Sequence, residues 1–344
     1  MTRRVLATLL VFAIPLAVAG QQQPDPGDPA VVFRSGVELI NVNATVTDAR
    51  GRFVDGLTRD DFVVYEDGEL VEVTQFSNER VPVSLVIVLD ASGSMEGRKM
   101  EAARGALDRF LYDLLGPDDE IFLYAFSYTP IRLQDWTVDR DRLSRAIRDI
   151  RSRGGTALYD AVADSVPQVA EGRHRKKALL IISDGNDTNS EIDLLELQRL
   201  IRENEALIYA IGIDGASFPA GWNRRGPTIP MPPRMPFPFP VPGGGRRPPQ
   251  MPTGRNPITA TQDDRVNVTA LRDLTDESGG RTEIIRNADD LDPATAGIAD
   301  ELSRQYYLGY PAQAVKDGRW HSIRVEIRSS AYRVRARRGY AATP

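Results

Sequence analysis

Five oxygen-bearing side chains, spread over three loops, could together bind a cation. They are Asp90, Ser92, Ser94, Thr156 and Asp184. The first three form the pattern Asp-x-Ser-x-Ser directly after the apolar run 83–89, and Asp184 follows a second such run, 178–183. Oxygen donors without imidazole or thiolate suit Mg²⁺, Mn²⁺ or Ca²⁺ better than zinc. Because the hydroxyls are neutral, the bound cation would still attract an acidic group from a partner.

The two apolar runs must place these loops at one edge of a sheet. An unbroken apolar run is typical of a strand that is buried on both faces of a parallel sheet. Helix-spaced apolar residues, such as those over 100–114, follow the first run. This alternation predicts an α/β fold with a doubly wound, mostly parallel sheet. Loops that follow the strands of such a sheet lie at its carboxyl edge, where we place Asp90 and Asp184. The loop 153–156 opens a helix, and all three loops can converge on that edge.

Further elements continue the alternation along the chain. We predict strands at 121–126, 131–138, 206–213 and 281–285, with the second at the sheet edge. We predict helices at 140–151, 156–170, 266–277 and 291–304, and one that Ser190 caps and that ends near 204.

The two ends of the chain have the alternating pattern of antiparallel strands. We predict strands at 40–47, 62–65 and 71–76 in the segment 31–80, and at 306–310, 321–328 and 332–336 in the segment 305–344. Neither segment alone offers enough strands for a stable sheet. We therefore expect them to pair in one small β-sandwich-like domain, into which the α/β domain, 81–304, is inserted.

A proline-rich insertion interrupts the α/β pattern at 215–257. It holds 13 of the 24 prolines and six arginines, and it has no acidic residue. Such a composition predicts disorder. The insertion follows the strand that ends at Ile213, so its base lies at the same edge as the metal loops. It is a cationic lid beside the site, an extended polyproline II peptide for a partner, or a tolerated disordered loop.

The first 20 residues have the order of a secretory signal: arginines at 3 and 4, an apolar run, and small residues near 17–19. We predict export by a Sec-type signal peptide, 1–20, a linker at 21–30, and a periplasmic or extracellular location without a membrane span in the mature chain. The chain has no cysteine, which excludes disulfides and cysteine catalysis. Its net charge of -5 argues against a nucleic-acid partner.

The three loops resemble the metal-ion-dependent adhesion site of von Willebrand factor type A domains, over about 81–304. The flanking motifs Gly56-Leu57-Thr58 and Arg338-Gly339-Tyr340 also resemble bacterial type A-related proteins of the acidobacterial kind. The resemblance implies that Ser92, Ser94 and Thr156 contact the metal directly, while Asp90 and Asp184 act mainly through water. Three nearby residues are candidates for outer contacts to the site or for turn and cap roles: Ser127, Asn186 and Asp187.

The family resemblance implies metal-dependent binding rather than catalysis. We therefore predict an exported adhesion or envelope-assembly module that is not an enzyme, whose cation coordinates an Asp or Glu of a protein partner. The alternative is a metal-dependent hydrolase of the cell envelope, although the sequence shows no Ser-His-Asp order. In related modules the last helix shifts when the metal site is occupied. Here that helix, 291–304, runs almost directly into the strand 306–310.

Overall fold

The computed structural model describes residues 39–204, 206–214, 266–313 and 317–342. The predicted signal peptide, the linker and the insertion 215–257 lie outside the described residues. The strands are β1 (Leu39–Asp48), β2 (Phe62–Glu66), β3 (Glu69–Val71), β4 (Gln75–Ser77), β5 (Val83–Asp90), β6 (Glu120–Phe126), β7 (Pro130–Thr137), β8 (Lys176–Ser183), β9 (Leu207–Ile213), β10 (Thr282–Ile285), β11 (Tyr306–Pro311), β12 (Trp320–Ile327), β13 (Tyr332–Arg335) and β14 (Gly339–Ala341). The helices are α1 (Arg98–Arg109), α2 (Arg140–Asp149), α3 (Leu158–Glu171), α4 (Leu194–Arg202), α5 (Val268–Thr275) and α6 (Leu291–Arg304).

A six-stranded sheet forms the centre of the α/β domain, in the order β10-β9-β8-β5-β6-β7. The strands run parallel except β7, which is antiparallel at the edge. All eight residues of β5 are buried. One core lies between the sheet and α1, α2 and α6, and a second lies between the sheet and α3, α4 and α5. Burial on both faces explains the nearly unbroken apolar run of β5, which only Ser84 interrupts, and confirms the predicted doubly wound sheet.

The strand order reverses at β5. From β5 the chain adds β6 and β7 on one side, and then returns to add β8, β9 and β10 on the other. In an open α/β sheet such a reversal leaves a crevice at the carboxyl ends of the central strands. The loops after β5 and β8, which carry Asp90 and Asp184, lie at this crevice.

The flanking strands form two four-stranded antiparallel sheets, β13-β1-β11-β4 and β14-β12-β2-β3. Each sheet combines strands from both ends of the chain; for example, Val42 of β1 pairs with Leu308 of β11, and Val64 of β2 pairs with Val325 of β12. One apolar core lies between the two sheets. The predicted fold class is confirmed: a doubly wound α/β domain is inserted into a small β-sandwich-like domain.

Three details of the secondary structure differ from the prediction. Ser190 does not cap α4; Asp193 does, because its side chain accepts from the Glu196 backbone N–H. The segment 71–76 is not one strand but parts of β3 and β4, which belong to different sheets. The strand β14 has only three residues and was not predicted.

A buried carboxylate at the end of α6 ties the α/β domain to the β domain. Glu301 Oε1 accepts hydrogen bonds from Thr45 Oγ1 of β1 and from the Tyr209 hydroxyl of β9, each at 3.0 Å, and it also pairs with Arg335. Its Oε2 lies 2.8 Å from Arg281 Nε, in an ion pair that is not aligned as a hydrogen bond. The single residue Gln305 separates α6 from β11. Helix α6 is thus connected to the β domain by hydrogen bonds and ion pairs as well as by the continuous chain.

Candidate metal centre

The structure brings the three predicted loops together at the carboxyl edge of the sheet. The backbone N–H of Gly93 donates to the Gly154 carbonyl at 3.0 Å, and that of Arg153 donates to the Ala91 carbonyl at 2.8 Å. The third loop joins the second, because the Thr188 N–H donates to the Thr156 carbonyl at 2.8 Å. Each loop thereby restricts the positions of the others.

Asp90, the last residue of β5, is fully buried. Its Oδ1 accepts from the Ser92 backbone N–H at 2.8 Å, and its Oδ2 accepts from the Ser183 hydroxyl at 2.6 Å. Burial, reinforced by the nearby charge of Asp184, raises the pKa of Asp90 to about 6. The two carboxylates repel each other in a buried setting, so the site favours positive charge.

The hydroxyls of Ser92 and Ser94 lie side by side, with 2.9 Å between their oxygen atoms. Ser92 is buried, whereas Ser94 is only half-buried. Two adjacent hydroxyl oxygens can occupy neighbouring positions around a small cation. Because Ser94 reaches solvent, the site opens to the outside on its side.

Two glycines allow the Thr156 loop to pack closely. Gly154 has a φ of 86°, and a Cβ there would lie 2.6 Å from the ring of Tyr128. A Cβ on Gly155 would lie 1.9 Å from Asn189 Oδ1. Thr156 itself is buried, and its backbone N–H donates to the Thr188 hydroxyl at 3.0 Å. The close packing fixes the backbone from which the Thr156 side chain projects.

Asp184 is fully buried and incompletely satisfied. Its Oδ1 accepts from the Asn186 N–H at 3.3 Å, but its Oδ2 has no hydrogen-bond partner among the described residues. Among the described residues, Lys99 supplies the cationic group at ion-pair distance, with its Nζ 3.8 Å from Oδ2. A buried polar atom without a partner calls for an explanation, such as a bound ion or water. A hydrated divalent cation would meet this need, so the residues fit the predicted metal.

The cation would have to bind mainly through hydroxyl groups. No cluster of three or more His, Cys, Asp or Glu residues that could hold a metal occurs in the part of the chain that the structure describes. Two aspartates and three hydroxyls make a hard, weakly charged donor set, which suits Mg²⁺, Mn²⁺ or Ca²⁺.

The three candidates for outer contacts have distinct positions. Asp187 caps α3, because its Oδ1 accepts from the Leu158 N–H at 2.8 Å and from the Ser190 hydroxyl at 2.6 Å. Asn186 donates its backbone N–H to Asp184. The Ser127 carbonyl accepts from the Ala157 N–H at 2.7 Å. These contacts position the loops that carry the predicted ligands.

Sequence reasoning missed two buried polar residues beside the site. Ser183 ends β8 and donates to Asp90, and Lys99 lies in the first turn of α1 beside Asp184. A signal for Lys99 was present, because at helical spacing it shares the apolar face of Ala103 and Ala106. A lysine on an apolar face requires a buried partner or a path to water. Ser183 had no such signal, since it stands at the end of an apolar run.

Residues 85–186 match the family model of the von Willebrand factor type A domain. The chain contains a von Willebrand factor type A domain. The matched region includes all five predicted ligands. Pig inter-alpha-trypsin inhibitor heavy chain H4 is 29% identical over 195 residues, which are 53% of this chain and 20% of that protein. An uncharacterised protein of Synechocystis is 26% identical over 151 residues, 43% of this chain and 34% of that protein. The matches thus span a fifth to a third of the relatives' lengths.

Solved structures similar to this chain include type A domains. The von Willebrand factor type A protein of Catenulispora acidiphila is 13% identical, with a TM-score of 0.48 over 88% of this chain and 72% of that one. The proximal thread matrix protein 1 of the mussel byssus, with a zinc-occupied metal-ion-dependent adhesion site, is also 13% identical, with a TM-score of 0.45 over 69% of this chain and 49% of that one.

None of the helices in the described ranges is long and apolar enough to cross a membrane.

Proposed function

We propose that the type A domain binds one divalent cation, Mg²⁺ or else Mn²⁺ or Ca²⁺, and that this cation receives an Asp or Glu of a protein partner. The observation that carries the proposal is the buried Asp184 Oδ2, which lacks a hydrogen-bond partner beside a ready set of oxygen donors. Ser92, Ser94 and Thr156 would hold the metal directly, and Asp90 and Asp184 would act mainly through water.

The half-buried position of Ser94 supports ligand access. The other predicted ligands are buried, so the cation would face solvent on the Ser94 side of the loops. A cation that is held mainly by neutral oxygens retains attraction for a carboxylate. A partner that presents an acidic side chain would complete the coordination from this open side.

We assign the protein a binding role rather than an enzymatic one. The two histidines lie away from the site: His174 Nε2 contacts the Asp118 carbonyl at 2.9 Å, and His321 Nδ1 contacts Asp67 at 2.7 Å. Neither is placed to serve a hydrolytic reaction at the predicted metal. With the signal pattern of residues 1–20, the proposal is an exported adhesion or envelope-assembly module that works in the periplasm or outside the cell.

Thermal unfolding with and without Mg²⁺ tests the metal. A ligand that binds only the folded state stabilises it by RT ln(1 + [L]/Kd), so the full chain should melt at a higher temperature in Mg²⁺ than in EDTA. Asp184→Asn should lose this difference, whereas Asp149→Asn, at an exposed position of α2, should keep it. Equal melting temperatures of the wild-type chain in Mg²⁺ and in EDTA would contradict the proposal.

Affinity capture tests the partner. Immobilised full-length protein should retain a partner from an envelope extract in Mg²⁺ and release it in EDTA, and the Asp90→Ala protein should retain none. Capture that is equal in Mg²⁺ and EDTA would show binding by another surface and would contradict the proposed role of the cation.

A further inference from the structure

Lys99 is buried in an unfavourable place for a positive charge. It lies in the first turn of α1, where the helix dipole repels cations, and it is 7% exposed. Burying an ammonium group is costly unless it is paired. Among the described residues, the only carboxylate at ion-pair distance from Lys99 is that of Asp184, 3.8 Å away. The position of Lys99 therefore has to be explained by the metal loops.

The net charge of the metal centre depends on Lys99. Asp90 and Asp184 carry two negative charges, and the hydroxyl ligands carry none. A divalent cation would therefore leave these residues and the metal electrically neutral together. With the ammonium of Lys99 included, the loaded site has one net positive charge. One partner carboxylate would then bring it to neutrality.

Other charged side chains near the loops contribute less. Glu96, Arg98 and Arg153 are exposed, so water and salt screen them. Asp187 of the third loop is half-buried, and the Leu158 N–H and the Ser190 hydroxyl, which both donate to its Oδ1, offset part of its charge. Lys99 and Asp184 are shielded from solvent, with side-chain exposures of 8% and 0%. Charges in such a setting interact more strongly than charges at the surface.

We propose that Lys99 sets the charge of the metal centre, so that the loaded site accepts one carboxylate. The inference rests on the proposed function and deepens it, since it specifies a ligand group with a single negative charge. Lys99 is a positioning residue that acts through Asp184 and does not touch the metal. Before the cation binds, its ammonium offsets part of the repulsion between the two aspartates and so stabilises the fold.

The proposal predicts opposite changes in two affinities. Lys99→Met keeps the length and apolar stem of the side chain but removes its charge. The cation should then bind about tenfold more tightly because it is no longer repelled, and a carboxylate should bind the loaded site about tenfold more weakly. A residue that only supported the fold would weaken both affinities when it was replaced. The opposite signs thus separate charge control from general damage.

Mn²⁺ and acetate are suitable probes. Enhancement of water-proton relaxation by bound Mn²⁺ gives the Mn²⁺ dissociation constant of the EDTA-stripped full chain. Acetate that displaces water from bound Mn²⁺ lowers the enhancement, which gives the acetate dissociation constant. Lys99→Gln provides a second neutral variant if Lys99→Met folds poorly. Lys177→Met is the matched control, because the Lys177 ammonium donates to the Ala170 carbonyl away from the metal loops.

The two neutral variants should bind Mn²⁺ more tightly and acetate more weakly than the wild type, while Lys177→Met should match it. In EDTA, Lys99→Met should melt at a lower temperature than the wild type, and Mn²⁺ should restore more of its stability. Unchanged constants, or a loss of both affinities in the neutral variants, would overturn the role of Lys99 but would leave the proposed function of the wild type standing. Absence of Mn²⁺ binding in the wild type would instead overturn the proposed function and this inference together.

Discussion

Two of the places where the described part of the molecule buries carboxylates differ in how those carboxylates are neutralised. At the junction of the two domains, Glu301 accepts from the hydroxyls of Thr45 and Tyr209 and pairs with Arg281 and Arg335. At the carboxyl edge of the sheet, Asp184 leaves one oxygen without a hydrogen bond and has a lysine only at 3.8 Å. Fixed side chains neutralise the carboxylate at the junction, whereas the carboxylates at the carboxyl edge of the sheet are only partly neutralised.

This difference separates a structural carboxylate from a binding one. At the junction Arg281 pairs with both Glu301 and Glu283, and Arg335 pairs with Glu301, so two guanidinium groups balance two carboxylates and no ligand is needed. Asp90 and Asp184 have one buried lysine between them, and the raised pKa of Asp90 has burial and the charge of Asp184 as its main causes. When the negative charge of a buried site is not fully neutralised by the protein, a bound cation stabilises the fold. The comparison therefore predicts opposite responses to mutation and to metal.

The largest effect is expected at the junction. Glu301→Ala removes the carboxylate that Arg281 and Arg335 share and leaves Arg281 paired with Glu283, and breaking a buried pair costs about 3–5 kcal/mol. Urea unfolding should show this loss equally in Mg²⁺ and in EDTA, because the junction does not bind metal. Glu301→Gln keeps acceptors for Thr45 and Tyr209, so it should lose less. If Mg²⁺ restored the stability of Glu301→Ala, the distinction between a structural carboxylate at the junction and binding carboxylates at the metal loops would be wrong.

The opposite sign is expected at the metal loops. Asp90→Asn removes a buried charge that the fold disfavours, so in EDTA the free energy of unfolding should rise by about 1–3 kcal/mol. The same variant should no longer be stabilised by Mg²⁺. Thermal unfolding in both conditions gives the two numbers. If Asp90→Asn were less stable than the wild type in EDTA, the conclusion that the metal-free loops hold an incompletely neutralised negative charge would be wrong.

A substitution of Gly154 tests the metal loops without altering any charged side chain. Gly154→Ala meets both a left-handed φ and the Tyr128 ring, so it should cost about 1–3 kcal/mol and weaken Mg²⁺ binding through the Thr156 loop. Gly51→Ala is the matched control, since its φ is 78° and an added Cβ there has no neighbour within 4 Å. Calorimetric titration of Mg²⁺ into both variants should show weaker binding only for Gly154→Ala. Equal affinities in the two variants would mean that the Thr156 loop does not hold the metal.

The smallest effect concerns an ion pair near the surface of the β domain. His321 contacts Asp67 at 2.7 Å and Asp317 at 3.3 Å, and the hydrogen bond to Asp67 is the main cause that raises the pKa of His321. The charged pair should therefore stabilise the fold below pH 6.5 and lose this effect as the pH rises through the raised pKa. Because Asp67 is half exposed, the change should stay below about 1 kcal/mol.

Chemical unfolding of the wild type and of His321→Gln across pH 5–9 measures this effect. The stability difference between the two proteins should shrink as the pH rises. A difference that grew toward high pH would contradict the assigned pair.

Local patterns predicted the fold and the loops well. The apolar run of β5 reported burial on both faces, and the predicted helix 291–304 coincides with α6. The convergence of Asp90 and Asp184 followed from the rule that loops after parallel strands share one edge, whereas the Thr156 loop, between α2 and α3, follows no parallel strand. These features depend on neighbours in the sequence or on the topology of the sheet, both of which leave a periodic signal.

Contacts between distant residues left no such signal. Thr45 and Glu301 are 256 positions apart, and nothing in either local pattern predicts that they meet. The failed Ser190 cap has a similar cause, because the Ser190 hydroxyl donates to Asp187 and accepts from the Asp160 N–H of a neighbouring loop and helix. Tertiary hydrogen bonds thus override the local preference of serine for a helix start.

The most direct measurement is the position of the metal itself. Crystals of the full chain that are soaked in Mn²⁺ would give an anomalous difference map at the manganese edge. We predict one strong peak in the metal loops, in contact with the hydroxyls of Ser92, Ser94 and Thr156, and no such peak in Asp184→Asn crystals. A well-occupied Mn²⁺ elsewhere, with no peak at these three hydroxyls, would contradict it.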